Sequence, residues 1–173
     1  RPTASRKATT KLAEILAEHA ETPALKESLP PAERLSRFSG VLLFSDFLDP
    51  LEKIGERLTY LASDGVTGYM VQVLDPAEET LPYKGRTEFL GMEGGERWLA
   101  DRVETLRPEY QKRLRAHRAG LEEVAHRLGW SFLVHHTDRP AAEPLLKLIM
   151  RLQDSGHDYR WTSSSAANSG AAG

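Results

Sequence analysis

Asp46 occupies a position in the sequence that is typical of metal ligands and of helix caps. Asp46 follows the apolar run of residues 41–44 and Ser45, at the end of a predicted buried strand. A carboxylate pressed against a low-dielectric strand is costly unless it is paired, hydrogen-bonded or bound to a cation. Two interpretations are open. Asp46 is a metal ligand, or it or Asp49 caps the helix that follows, because aspartate is a favoured N-cap residue.

A second polar group, His135-His136-Thr137-Asp138, follows another apolar run. Consecutive strand residues point to opposite faces, so the two imidazoles reach one ion only if the strand ends before them. The pattern is more typical of polar residues at the mouth of a strand. A metal-dependent hydrolase that uses Asp46 and His136 remains an alternative. The chain has neither a Gly-x-Ser-x-Gly turn nor a nucleotide-binding glycine motif, and we predict that it is not an enzyme.

The composition limits the classes of protein to be considered. The chain has 173 residues, enough for one domain with a proper core. It has 23 Lys and Arg against 25 Asp and Glu, a net charge of -2, whereas nucleic-acid binders normally carry a basic stripe. It has no cysteine, which excludes disulfides and thiolate chemistry and suits a reducing compartment. No apolar run approaches the roughly 20 residues that cross a bilayer, so we predict that the chain has no membrane span. From the balanced charge and the absence of cysteine we predict no nucleic-acid partner and a cytoplasmic location.

Helices and strands alternate along the chain and must position these side chains. Apolar runs predict strands over residues 41–44, 66–74 and 130–134, the first of them central and buried on both faces. Helical spacing predicts helices over residues 5–20, 49–65, 96–107, 108–128 and 144–152. Residues 77–95 are rich in glycine and proline, with a short edge strand over residues 86–90. The alternation implies a doubly wound, mostly parallel α/β sheet, whose ligands bind beyond the carboxyl ends of the strands.

Several short motifs, in this order, resemble those of one family. They are residues 41–49 (VLLFSDFLD), 71–78 (VQVLDPAE), 85–87 (GRT), 117–118 (HR), 128–130 (LGW) and 136–140 (HTDRP). Over about residues 40–152 the chain resembles the C-terminal part of the bacterial proteins called domain of unknown function 58, which are similar to von Willebrand factor A domains. The resemblance implies a partial, Rossmann-like α/β domain over residues 1–154 that lacks its first strands. The Ser, Ala and Gly content of residues 155–173 predicts a flexible tail.

The resemblance also implies a metal-ion-dependent adhesion site, usually for magnesium, at the carboxyl edge of the sheet. That site combines an Asp-x-Ser-x-Ser motif, a Thr before a later helix and an Asp after the fourth strand. Asp46 matches the last of these, and Thr3 is a weak match to the second. The Asp-x-Ser-x-Ser motif is absent, which indicates that the first strands precede Arg1. We expect no cofactor in this chain alone and magnesium in the full-length protein.

The partners that the resemblance implies are proteins. Family members resemble partners of MoxR-type AAA+ ATPases, systems that act in chaperone-like assembly or metal insertion. The resemblance therefore implies a protein–protein interaction module. A third class, besides this module and the hydrolase, is a purely structural domain that forms a homo-oligomer. It is favoured if the missing strands leave a sheet edge exposed, because unpaired edges recruit partners.

Overall fold

A computed structural model describes residues 8–19, 29–91 and 97–152 of the chain. The elements are α1 (Ala8–His19), β1 (Gly40–Ser45), α2 (Leu51–Leu61), β2 (Thr67–Leu74), α3 (Pro76–Thr80), β3 (Thr87–Leu90), β4 (Arg97–Ala100), α4 (Val103–Arg127), β5 (Ser131–His136) and α5 (residues 142–152). Among these helices, none combines the length and the apolar character needed to cross a membrane. Thr3 and the tail predicted over residues 155–173 lie outside the described residues.

Strands β1, β2 and β5 form one parallel sheet in the order β1-β2-β5. Leu43 of β1 lies beside Met70 of β2, which lies beside Phe132 of β5. The prediction that these three apolar runs are neighbouring parallel strands is confirmed. Strands β3 and β4 form a separate antiparallel pair. The predicted edge strand over residues 86–90 therefore exists, but it belongs to a hairpin outside the main sheet.

Helices cover the sheet on both faces. On one face Met70 packs with Ile54 of α2 and Leu121 of α4, and these side chains are at most 1% exposed. On the other face Leu148 of α5 packs against Val71. Apolar surface buried in two layers is what a doubly wound sheet requires, and the arrangement is consistent with the predicted Rossmann-like fold.

The prediction that residues 41–44 form a central strand buried on both faces is wrong. The central strand is β2, and within the described residues β1 pairs on one side only. Leu42 and Phe44 are 42% and 53% exposed, whereas Val41 and Leu43 pack against the core beneath α2 and α4. An apolar run identifies a strand. How far each of its faces is covered depends on elements that are distant in sequence.

The prediction of a helix over residues 96–107 is wrong for residues 97–100 and confirmed for residues 103–107. Arg97–Ala100 forms β4, and α4 begins at Val103 and continues through Pro108. Pro108 removes one backbone donor near the start of a 25-residue helix, which the remaining hydrogen bonds tolerate. A short run of mixed polar and apolar residues fits a strand as well as a helix, and pairing with β3 decides between them here.

Trp130 closes the core beside the first residues of β2. Its side chain is buried, and its indole nitrogen donates to the carbonyl oxygen of Val66 at 3.1 Å. The ring lies over Gly68, where a Cβ atom would stand 1.8 Å from Trp130 Cδ2. Any larger residue at position 68 therefore collides with the indole.

Candidate functional site

The turn between β1 and α2 carries Asp46 at the carboxyl edge of the sheet. Its next residue, Phe47, adopts a left-handed conformation with φ 50°, although its side chain is buried in the core. A bulky residue in this region is strained and persists only when its surroundings determine it. The Phe47 amide donates to Ser45 Oγ at 3.1 Å, which supplies one of these restraints.

Two side chains, one from β2 and one from α4, hold the backbone of the same turn by hydrogen bonds. Gln72 of β2, which is completely buried, donates from Nε2 to the main-chain oxygen of Asp46 at 2.8 Å. His117 of α4 donates from Nε2 to the main-chain oxygen of Phe47 at 2.6 Å. The backbone of the turn is thus fixed by the central strand and by the longest helix.

The Asp46 side chain is exposed and closes the turn locally. Its Oδ1 atom accepts the Leu48 amide at 3.2 Å and the Ser45 hydroxyl at 3.3 Å. This is the geometry of an Asx turn. Helix α2 begins after Pro50, which is its N-cap residue. The interpretation of Asp46 or Asp49 as the N-cap residue of this helix is therefore wrong.

A network of charged and polar side chains joins the ends of the strands. Gln72 Oε1 accepts Arg118 Nε at 3.3 Å, and Arg118 donates from a terminal nitrogen to Glu79 Oε1 at 2.8 Å. The other carboxylate oxygen of Glu79 accepts His136 Nε2 at the end of β5. The side chains of Glu79 and Arg118 are 31% and 20% exposed, so the ion pair is largely shielded from water. The network connects β5, α3, α4 and β2 to the Asp46 turn.

The ionic part of the network favours the charged form of Glu79. The hydrogen bond from Arg118 lowers the pKa of the Glu79 carboxyl below its ordinary value. Partial burial opposes this effect, and the hydrogen bond and charge of His136 add to it. The second terminal nitrogen of Arg118 is buried and has no hydrogen-bond partner among the described residues. The guanidinium is therefore held mainly by Glu79 and Gln72.

A smaller polar cluster fixes α3. Asp75 Oδ1 accepts the Ala77 amide at 2.7 Å, and Glu78 Oε2 accepts the Asp75 amide at 3.1 Å, which together form a capping box. Asp75 Oδ2 also accepts the Thr137 hydroxyl at 2.9 Å. The second Asp-Pro step of the sequence therefore ties the end of β5 to the start of α3.

Asp46 and His136 are the pair proposed for a hydrolase. Asp46 directly follows β1 and His136 ends β5, and β2 lies between these two strands. Strand spacing places the two chain positions roughly 10 Å apart. His136 contacts Glu79, whereas the Asp46 carboxylate contacts Ser45 and Leu48. Strand β5 continues through His136, so the two consecutive histidines do alternate across the sheet. The sequence interpretation of His135 and His136 as polar residues at the mouth of a strand fits this position.

Among the described residues, no three side chains of the His, Cys, Asp or Glu type are grouped so as to hold a metal ion. Asp46 supplies one exposed carboxylate, and Thr3 lies outside the described residues. Magnesium requires several oxygen ligands in near-octahedral geometry.

The residues of the network that sequence reasoning missed are Gln72, Glu79 and Arg118. Gln72 carried the clearest signal, because it is a lone amide within an otherwise apolar strand and buried polar groups need partners. No such signal marked Glu79 and Arg118, because charged residues on helices are usually solvated.

The parallel sheet β1-β2-β5, with helices on both faces, is consistent with a Rossmann-like α/β fold. The sequence pattern of the family described as "Protein of unknown function DUF58" matches residues 2–120, which is more than half of the chain. The chain belongs to this family. The match begins ahead of residue 40 and ends before residue 152, so it covers the Asp46 turn, the central strand and most of α4. No curated protein and no solved structure matches the chain.

Proposed function

We propose that the chain is a cytoplasmic protein-binding module whose docking face is the carboxyl edge of the sheet around Asp46. Its partner is a MoxR-type AAA+ ATPase in chaperone-like assembly, as the family resemblance implies. The observation that carries the proposal is the strained Asp46–Phe47 turn. Gln72 of β2 and His117 of α4 hold its backbone by hydrogen bonds, and the Asp46 carboxylate stays exposed. A surface group fixed in advance binds with a small entropy cost.

The internal pairing of the network favours binding over catalysis. Glu79, Arg118 and His136 contact one another, and Gln72 contacts Arg118 and the Asp46 backbone. A general acid or base has to reach a substrate proton, and these groups are engaged inside the protein. Their role in the proposal is to set the position of the Asp46 turn.

The metal-dependent form of the proposal assigns Asp46 as one ligand of a magnesium ion. Its other ligands come from Thr3 or from residues of the full-length protein or the partner, since the described residues offer no complete set. Without a cation, the Asp46 carboxylate binds a basic group of the partner directly. Chelation distinguishes the two forms.

The test is capture of a MoxR-type AAA+ ATPase from the same organism by the purified full-length protein, with and without a chelator. Asp46→Asn is the informative variant, because its amide oxygen still accepts the Leu48 amide while the negative charge is lost. Glu88→Gln is the control, since Glu88 is a surface carboxylate on the β3–β4 hairpin. We expect Asp46→Asn to lose capture at an unchanged melting temperature and Glu88→Gln to retain it. Equal capture by both variants would refute the docking role of Asp46.

A homo-oligomer formed through β1 is a second candidate, favoured by one observation. Within the described residues β1 has a partner strand on one side only, and it exposes Leu42 and Phe44. Unpaired apolar edges recruit further strands. Sedimentation of the wild type against Leu42→Lys tests this candidate. A monomeric wild type at all accessible concentrations would remove it.

A further inference from the structure

A concave site lined with aromatic side chains lies between α3, the β3–β4 hairpin and α4. Its volume is about 590 Å³, within the range of sites that enclose a small ligand or an anchoring side chain. The aromatic lining residues are Tyr83, Phe89, Trp98 and Tyr110. Trp98 is 55% exposed and Tyr83 is 44% exposed, so aromatic surface in this cleft remains open to solvent.

The aromatic wall is held in place by contacts within the protein. The Phe89 ring lies 5.9 Å from that of Tyr83 in an edge-to-face arrangement and 5.6 Å from that of Trp98. Arg107 of α4 donates to the main-chain oxygens of Leu81 and Tyr83, each at 2.8 Å. These hydrogen bonds attach the segment after α3 to α4. The cleft is therefore preformed, which lowers the entropy cost of binding.

Among the described residues that line the cleft, the charges are negative in sum. Glu78 and Glu109 stand beside one cation, Arg113, whose Nε atom pairs with Glu109 at 3.0 Å. Burial raises the pKa of the Tyr110 hydroxyl, and the charges of Glu78 and Glu79 raise it further. An aromatic wall beside excess carboxylate favours a cation over an anion.

Arginine matches this combination better than other side chains. Its planar guanidinium stacks on aromatic rings and pairs with carboxylates, whereas lysine offers a strongly hydrated point charge. We propose that the cleft docks a segment of a partner protein that presents an arginine between apolar residues. The guanidinium stacks on the exposed Trp98 ring, and Glu78 and Glu109 balance its charge. The site shares none of the residues of the Asp46 turn, so it stands or falls separately from the function proposed above.

The probes are two acetylated and amidated pentapeptides, Gly-Leu-Arg-Leu-Gly and the same peptide with citrulline in place of arginine. Citrulline keeps the shape of the side chain and removes its charge. Each is titrated into the isotope-labelled full chain, and the indole N–H signal of Trp98, assigned with Trp98→Phe, is followed by NMR. We expect a saturable shift of this signal, with the arginine peptide binding about tenfold more tightly than the citrulline peptide.

Variants test the assignment of the carboxylates. Glu109→Gln on α4 should abolish the preference for arginine, whereas Glu88→Gln on the β3–β4 hairpin, which does not line the cleft, should preserve it. Glu78→Gln serves as a second variant if Glu109→Gln melts early, because glutamine still completes a capping box. Equal binding of the two peptides, or shifts that leave the Trp98 indole unmoved, would overturn the proposal. So would self-association of the peptide-free protein that Trp98→Phe abolishes, since a second copy would then occupy the cleft.

Discussion

Gln72 and Asp46 are joined by a hydrogen bond of 2.8 Å from a fully buried side-chain nitrogen to a main-chain oxygen of the surface turn. The oxygen of the same amide accepts Arg118 Nε at 3.3 Å. One side chain of the central strand therefore connects the candidate docking residue to the ionic network. The amide nitrogen and the amide oxygen have different partners, so a side chain that offers only a donor or only an acceptor loses one of the two hydrogen bonds.

Replacing this amide should destabilise the protein. Gln72→Leu removes the donor to Asp46 and leaves Arg118 Nε without its acceptor, and an unsatisfied buried polar group costs about 1–3 kcal/mol. Gln111→Leu is the matched control, because Gln111 also donates to main-chain oxygens but only at 3.4 and 3.5 Å. Urea unfolding at neutral pH measures both. A Gln111→Leu variant as unstable as Gln72→Leu would contradict the central role of Gln72.

The Glu79 carboxylate should make the stability of the protein depend on pH in the acid range. Because Arg118 lowers the pKa of folded Glu79, the stabilisation is fully present above the ordinary pKa of about 4.5 and is lost as the pH falls through the lower folded value. The difference in free energy of unfolding between wild type and Glu79→Gln should therefore be larger at pH 7 than at pH 3.

The control for this pH dependence is Glu88→Gln. Glu88 pairs with Arg97 at 3.7 Å on the surface, where an ion pair contributes little at either pH. Urea unfolding of the three proteins at both pH values makes the comparison. A difference for Glu79→Gln that stays constant between pH 7 and pH 3 would show that its charge is not what stabilises the fold.

Gly68 should not accept even one methyl group. Gly68→Ala places Cβ 1.8 Å from the Trp130 ring, and such overpacking costs about 1–3 kcal/mol, with backbone shifts. Gly55→Ala is the control within α2, where the nearest heavy atom to the new Cβ lies 3.9 Å away on Val124. Because alanine is the better helix former, Gly55→Ala should stabilise the protein by about 0.5–1 kcal/mol. Thermal melting of the pair tests whether the two effects have opposite signs.

His117 should restrain the strained turn more than the fold as a whole. His117→Ala removes the hydrogen bond to the Phe47 carbonyl, which is worth about 1 kcal/mol. Amide hydrogen exchange of Phe47 and Leu48 should become faster, because the left-handed turn then opens more readily. His126→Ala, at an exposed position on the same helix, should leave these amides unchanged. Unchanged exchange in His117→Ala would mean that the other contacts hold the turn alone.

The sequence by itself determined the elements of the parallel sheet. The three apolar runs predicted β1, β2 and β5, and the order of strands and helices predicted a doubly wound arrangement, because periodicity and turn residues are local signals. Helix α3 was not predicted, because residues 77–95 were interpreted as a connection rich in glycine and proline. Local signals did not decide residues 97–100, where the pairing partner β3 selects a strand.

The tertiary structure decided which of these residues act together. Asp46 was identified from its place after an apolar run, and its Asx turn is local. The backbone of that turn, however, is held by Gln72 and His117, which lie 26 and about 70 positions further along the chain. The exposure of Leu42 and Phe44 depends likewise on which elements reach that face of β1. A sequence states which groups need partners, because burial of an unpaired polar or charged group is costly. Only the packing of distant elements decides which partner each group receives.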